Sequence, residues 1–277
     1  MTFTAKMTAH DIPVVILAGG MGISLGPLGS TVPKTMVELS GLPMLVHLMD
    51  HYGRSGFRKF IICAGHHAEL IKEFAARIPL IGNKITITMK HGKVEQQLMP
   101  ESRQFSHRSE WEITVIDTGI DSMTGSRLAQ VRSYVDIAPA FCVTYGDTLS
   151  SVDLHDLFLF HASHGKTGTL LAVHNPTRFR ILGLADDDDV IRGFSEKPVL
   201  ERDYINGGFY IFNSAIFEVK ALSSSSSCVL ETAVLEELIS RQQLLSYRHD
   251  GFWQSLDNER DRNKLAAYVR ESAPESL

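Results

Sequence analysis

The sequence predicts an α/β protein with a Rossmann-like, mostly parallel sheet, helices on both faces and a smaller antiparallel part. Three observations predict it. The chain has 277 residues and is 44% hydrophobic, enough for a sizeable core in one large α/β domain or two smaller ones. Its first half alternates short apolar runs with helical spacing, as parallel strands joined by crossover helices do. Its first strong apolar run, Val14 to Leu17, leads straight into Ala18-Gly19-Gly20-Met21-Gly22. Glycine there permits a sharp turn whose N–H groups can approach a phosphate. The spacing is neither the dinucleotide fingerprint nor the Walker A pattern, so a ligand-free strand-to-loop turn is the competing reading.

The elements follow in order. Val14–Leu17 is bounded by Gly and reads as a buried strand. Pro43–Arg54 carries Leu45, Leu48 and Met49 at helical spacing, with Pro43 suited to a first helical turn. Lys59–Cys63 reads as a strand and Ala68–Arg77 as a helix. Ile85–Met89, Glu112–Ile116 and Phe141–Tyr145 are further strands, the last ending in Gly146-Asp147. In the second half, Gly168–Val173, Val190–Ser195 and Gly208–Phe212 read as antiparallel strands. Asp186 to Asp189 reads as a hairpin turn between two of them. Glu231–Ser240 reads as an amphipathic helix with Val234, Leu235 and Leu238 on one side. Lys93 to Glu110 is polar and poorly periodic, which suits a mobile loop or an oligomer contact. Ser223–Ser227 reads as a surface loop with no assigned role.

Composition narrows the class. The formal net charge of −5 gives no reason to expect a nucleic-acid partner. No apolar run approaches the roughly 20 residues that span a bilayer, so no membrane is expected. Met1 to Asp11 lacks the apolar region of a secretory signal, and the expected compartment is the cytoplasm. Cys63, Cys142 and Cys228 are an odd count. The first two sit inside apolar runs and read as small buried hydrophobes.

Three distant stretches carry candidate chemistry: Lys34 in Pro33-Lys34-Thr35-Met36, Asp147 after Tyr145-Gly146, and Asp257 after Phe252-Trp253-Gln254-Ser255-Leu256. Two carboxylates and a lysine around a glycine turn suit metal-assisted phosphoryl or nucleotidyl transfer, because Mg²⁺ takes a few carboxylates plus phosphate oxygens and water. Each residue alone has an ordinary structural reading as a helix cap, a surface ion pair or a surface lysine.

The chain resembles the sugar-1-phosphate nucleotidyltransferases from about Val14 to about Leu265, and within them the glucose-1-phosphate cytidylyltransferases. The most specific match is Asp117-Thr118-Gly119-Ile120-Asp121-Ser122-Met123-Thr124-Gly125-Ser126-Arg127-Leu128. Ile205-Asn206-Gly207-Gly208-Phe209, Glu196-Lys197-Pro198 and Gly251-Phe252-Trp253-Gln254 match as well. The resemblance implies a GT-A-like fold over residues 13–265. Residues 13–150 would mainly bind the nucleotide and 151–265 mainly the sugar phosphate, with tails at 1–12 and 266–277. It also implies CTP and a sugar 1-phosphate as substrates, Mg²⁺ as cofactor and a homo-oligomer. Leu17, Ala18, Gly19, Gly20, Met21, Gly22, Ser24 and Gly146 would lie along the nucleotide, with Lys34 on its α-phosphate. Ser122 and Arg127 would help recognise the pyrimidine, and Asp147 and Asp257 would hold Mg²⁺. Arg180, Glu196, Lys197, Asn206 and Gly207 would surround the sugar phosphate.

Four departures from the family pattern stand out. Its glycine loop continues Gly-Thr-Arg-Leu, whereas this chain reads Gly22-Ile23-Ser24-Leu25. Losing a charged donor to the transition state costs about 10²–10³ in rate. Val32 replaces a lysine and Thr35 a proline. Arg180 stands where the family has glycine, which points to an acceptor carrying an additional anionic group. Ala233-Val234-Leu235 replaces Glu-Pro-Leu. These departures leave open a weak or inactive paralogue that binds or scaffolds, or the same chemistry with UTP or GTP.

Overall fold

The computed structural model describes residues 8–22, 31–90, 93–100, 108, 110–136, 138–174, 180–185, 188–196 and 204–272. Residues 180–185 and 188–196 are described by their backbone alone. In the first half lie β1 (Pro13–Leu17), β2 (Glu38–Leu39), β3 (Leu42–Pro43), α1 (Met44–Arg54), β4 (Lys59–Ala64), α2 (Ala68–Arg77), β5 (Asn83–Lys90) and β6 (Lys93–Pro100). They are followed by β7 (Glu112–Asp117), α3 (Thr124–Gln130), α4 (Arg132–Val135) and β8 (Ala140–Tyr145). The second half holds β9 (Thr148–Ser150), α5 (Leu154–His164), β10 (Gly168–His174), β11 (Arg180–Ala185), β12 (Asp188–Glu196) and β13 (Tyr204–Asn213). A π-helical turn (Leu230–Leu235), α6 (Glu236–Ser240), β14 (Leu244–His249), β15 (Trp253–Ser255) and α7 (Glu259–Glu271) complete it.

Seven strands form one sheet in the order β14-β10-β13-β8-β1-β4-β7. All run parallel except β13, which is antiparallel to both neighbours. Strand side chains alternate across the sheet, so an apolar run buries both faces. Val14 and Ile16 of β1 point into one core, with Phe60 and Ile62 of β4 and Phe209 and Ile211 of β13. Val15 and Leu17 point into the other, with Ile61, Cys63, Tyr210 and Phe212. The first core is closed by Leu45, Leu48 and Tyr52 of α1, Ile71 of α2, Leu157 of α5 and Leu265 of α7. Leu128 of α3, Val135 of α4, Val234 and Leu235 of the π turn and Leu238 of α6 close the second. Each such large apolar side chain contributes roughly 1.5–3 kcal/mol on burial.

The antiparallel reading holds for β10 with β13 and for β11 with β12, while the placement and extent of several elements are revised. Gly168–Val173 and Gly208–Phe212 belong to the central sheet, because β13 inserts between β8 and β10 and β10 then pairs in parallel with β14. β11 and β12 form a separate antiparallel ribbon, with Arg180 opposite Glu196 and Ala185 opposite Asp188. Lys93–Pro100 is a strand. It pairs with β5, placing Ile85 opposite Leu98 and Met89 opposite Val94. Gln96 in the middle of its apolar side blurs the alternation in the sequence. Over Glu231–Ser240 the first turns are π-helical, yet Val234, Leu235 and Leu238 are all buried as expected. The stretch after residue 265, read as a tail, is helical to Glu271. Tyr268 there stacks on Phe252 with ring centroids 3.9 Å apart and donates to the Ser150 carbonyl.

One polar chain, buried at His161 and Thr169, ties α5 to β10. The Lys166 amide donates to Nδ1 of His164, so that ring carries its proton on Nε2 and donates to Oγ1 of Thr169. The Thr169 hydroxyl is then free to donate to Nδ1 of His161. His161 is 2% exposed. Burial, aided by the neighbouring His164, pushes its pKa down to about 4. The unfolded chain therefore binds a proton below pH 6.5 that the folded protein refuses, and stability falls as pH drops from 6.5 towards 4. The loss approaches about 3 kcal/mol for this group. Urea unfolding midpoints measured from pH 7 to pH 4.5 should decline, and His161→Gln should flatten that decline. An equally steep profile in the variant would assign the acid sensitivity elsewhere.

Candidate active site

The candidate residues gather beyond the carboxyl ends of the parallel strands, where a doubly covered sheet leaves room for a ligand. β1 stops at Leu17, and the chain turns through Ala18 to Gly22, where φ is 66°. Backbone bonds pin this turn on two sides. The Ala18 amide donates to the Cys63 carbonyl at 3.0 Å, and the Gly146 amide to the Leu17 carbonyl at 3.0 Å. A cleft of about 210 Å³ opens above it, lined by Leu17–Gly20, Lys34, Thr35, Ser122–Thr124, Arg127, Tyr145 and Asp147. A side chain on Gly20 would meet nothing within 4 Å, so its backbone faces open space. Gly146 is tightly held: a Cβ there would lie 2.3 Å from Thr35.

Arg127 fixes the turn from below. It is buried, and its guanidinium fills the gap between Gly19 and Gly65. A Cβ on Gly19 would sit 2.0 Å from the guanidinium carbon, and one on Gly65 2.5 Å from Nη1. Nη1 donates to the Ala64 carbonyl at 2.9 Å and to Thr118 Oγ1 at 2.6 Å. Nη2 donates to the Gly19 carbonyl at 3.0 Å. Both terminal nitrogens are thus engaged inside the fold. The segment before Arg127 turns at Gly119, with φ of 90°, and Ser122 Oγ donates to the Thr118 carbonyl. Its backing is the serine-rich stretch that the sequence left without a role. The Ser226 carbonyl accepts from the Met123 amide, and the Ser224 carbonyl from Ser126 Oγ. Thr124 Oγ1 donates to Glu231 at 2.9 Å, joining this loop to the π turn.

Lys34, Asp147 and Asp257 meet on one side of the cleft. Asp147 follows the end of β8. β9 then pairs antiparallel with β15, Thr148 opposite Ser255, and the Leu256 amide donates to the Asp147 carbonyl at 2.8 Å. That pairing carries Asp257 beside Asp147. Lys34 stands at the start of the 3₁₀ turn Lys34–Met36. Its Nζ donates to Asp147 Oδ2 at 3.0 Å and to Asp257 Oδ1 at 2.8 Å. The other carboxylate oxygens are held by hydroxyls: Thr148 Oγ1 donates to Asp147 Oδ1, and Ser255 Oγ to Asp257 Oδ2. Burial pulls the Lys34 pKa down, but the two carboxylates outweigh it and hold the pKa above the ordinary lysine value. The ammonium therefore persists at neutral pH.

On the far side of Tyr145 lie Asn206 and Gly207. Asn206 donates to the Tyr210 hydroxyl at 2.6 Å and accepts from the Gly208 amide at 2.9 Å, while Trp253 Nε1 donates to the Gly207 carbonyl at 2.7 Å. Gly208 has a φ of 73°, and a Cβ there would lie 2.5 Å from the Tyr145 ring. Met21 and Gly22 continue the glycine turn away from the cleft lining. Arg180 and Glu196 face each other in the β11–β12 register. Ile23, Ser24 and Lys197 lie outside the described residues. The sequence reading missed Thr35, Met123, Thr124 and Tyr145 as cleft residues. Tyr145 was accessible to it, since it ends a strand directly before Gly146.

Among the described residues no group of three or more His, Cys, Asp and Glu side chains is placed to hold a metal ion. Two carboxylates aimed at one cationic centre do converge, and that donor set fits a Mg²⁺ ion whose remaining ligands are phosphate and water. None of the described helices is long and apolar enough to cross a membrane.

Comparison with known proteins accords with this geometry. The chain is 36% identical over 248 residues to a glucose-1-phosphate cytidylyltransferase of Salmonella typhimurium, covering 90% of this chain and 92% of that one. It is 28% identical over 272 residues to the mannose-1-phosphate guanylyltransferase catalytic subunit beta of Danio rerio, covering 95% and 67%. The fold matches HddC from Yersinia pseudotuberculosis with a TM-score of 0.63 at 19% identity, over 93% and 99% of the two chains. The nucleotidyl transferase family profile matches residues 13–257. The chain belongs to the sugar-1-phosphate nucleotidyltransferases of that family.

Proposed function

We propose that this protein transfers a cytidylyl group from CTP to a sugar 1-phosphate, glucose 1-phosphate or a modified relative, with Mg²⁺. The products are a CDP-sugar and pyrophosphate. The observation that carries the reading is the convergence of Asp147, Asp257 and Lys34 beside the Leu17–Gly20 turn. The similarity to a cytidylyltransferase over most of both chains supports the choice of base. A phosphate oxygen of the sugar phosphate attacks the α-phosphorus in line, and the bond to the β-phosphate oxygen breaks as pyrophosphate leaves. Asp147 and Asp257 hold the metal, which when bound neutralises charge on the reacting phosphate. Lys34 offers its ammonium to the α-phosphate. The backbone of Leu17 to Gly22, with Ser24 and Gly146, positions the nucleotide. Ser122 faces the base, and Arg127 keeps the turn and the base loop in fixed relation. Arg180, Glu196, Lys197, Asn206 and Gly207 receive the sugar phosphate. Positioning and charge neutralisation supply most of the rate.

A weaker or repurposed site is the second reading, favoured by Ser24 in place of the family's arginine. A guanylyl or uridylyl donor is a third, favoured by the similarity to a guanylyltransferase. We place the protein in the cytoplasm and as a homo-oligomer. The oligomer is supported by Ile87, Met89 and Val94 of the β5–β6 hairpin, which are 55%, 78% and 57% exposed.

Pyrophosphate release should appear with Mg²⁺, CTP and one sugar 1-phosphate in a panel of four ribonucleoside triphosphates, and Asp147→Asn should lower it by about 10²-fold or more. No release with any pair, from folded protein that still binds CTP, would favour the binding paralogue. Ser24→Arg should raise turnover if the rest of the site is intact, whereas unchanged or weakened CTP binding with no gain in rate would mark a repurposed loop. Light scattering should show more than one chain per particle, and Met89→Lys should shift it towards the monomer. A monomeric wild-type protein would refute the assembly.

A further inference from the structure

We propose that Lys34 is a resident counter-ion that keeps the Asp147–Asp257 pair closed to free divalent cations, so that metal enters only together with the nucleotide. The inference rests on the reading of those two carboxylates as metal ligands. It goes further by assigning an order to the binding events.

The geometry gives four reasons. First, the Lys34 ammonium already occupies the point at which the two carboxylates converge, 3.0 Å from one and 2.8 Å from the other. Second, Thr148 and Ser255 hold the opposite oxygens, so Oδ2 of Asp147 and Oδ1 of Asp257 are the pair turned towards a shared cation, and Lys34 is using both. Third, the trio carries two negative charges and one positive. A divalent ion placed beside an undisplaced ammonium would face like-charge repulsion within a few ångströms. Fourth, the side chains of Lys34, Asp147 and Asp257 are 20%, 27% and 31% exposed. Ions reach the site, so what keeps them out is competition and not enclosure.

Displacement needs another anion within reach of the same ammonium. Lys34 lines the cleft beside Leu17–Gly20, and its flexible four-carbon stem lets Nζ swing from the carboxylates towards that turn. A triphosphate seated on the turn supplies the alternative anion. As Lys34 moves onto it, the two carboxylates become available to the ion that the triphosphate brings. The ammonium thus serves in turn as a stand-in for the metal and as a phosphate ligand. Without nucleotide, the ammonium offsets half of the carboxylates' charge and holds both inward oxygens, and the cleft does not fill with a bare ion.

The test is uptake of Mn²⁺ by nucleotide-free protein, read from the electron paramagnetic resonance signal of unbound Mn²⁺. Wild-type protein should take up little. Lys34→Met and Lys34→Gln should each bind roughly tenfold tighter or more, the scale of removing one strong electrostatic competitor, and adding Asp147→Asn to either should cancel the gain. Circular dichroism confirms that each variant is folded, and two uncharged replacements guard against one failing to fold. Wild-type uptake equal to that of the variants would overturn the counter-ion role while leaving the metal ligands in place. If Mn²⁺ bound to the CTP complex is also indifferent to Asp147→Asn and Asp257→Asn, the metal reading itself falls and the inference falls with it.

Discussion

A strand covered on both faces can carry no unpaired polar side chain along its length. β1 obeys this constraint, with all five of its residues buried, and so do the inner parts of β4 and β8. The consequence is spatial. Polar chemistry is pushed off the strands and onto the turns that follow them, and because six of the seven strands point the same way, those turns collect along one edge. The glycine turn after β1, the Thr118–Ser122 loop after β7 and Gly146-Asp147 after β8 are neighbours for that reason, although long stretches of sequence separate them.

What then holds the turns is polar and specific. Arg127 reaches from α3 to three separate segments, the carbonyls of Gly19 and Ala64 and the hydroxyl of Thr118. It can do so only where Gly19 and Gly65 leave out a side chain. A buried guanidinium is costly unless its donors are met, so the surrounding acceptors and the two glycines are required together. The turn is consequently set before any ligand arrives, which lowers the ordering cost of binding.

Much of the central sheet was legible in the sequence. Val14–Leu17, Lys59–Cys63 and Phe141–Tyr145 are short apolar runs with glycine nearby, and buried parallel strands leave that mark. β10 and β13 were legible as strands but not as members of the same sheet, since antiparallel pairing of these two says nothing about their outer neighbours. β6 escaped because Gln96 interrupts its apolar side. At the site, Lys34, Asp147 and Asp257 were readable as residue types, but their convergence depends on the β9–β15 register, which no local pattern encodes. The engagement of Arg127 within the fold was equally hidden, because it rests on what the chain leaves out at Gly19 and Gly65.

The pairing of β9 with β15 also bears on how the protein comes to exist. Asp257 reaches Asp147 only when a ribbon near the end of the chain docks beside one from its middle. Contacts so far apart in sequence form late, because the loop between them must first be ordered. An emerging or truncated chain can therefore complete β1, its glycine turn and most of the sheet while the second carboxylate is still absent. The two carboxylates then come together only once that late ribbon has docked. Fragments ending before Trp253 would lack the β9–β15 ribbon and with it the Asp147–Asp257 pair.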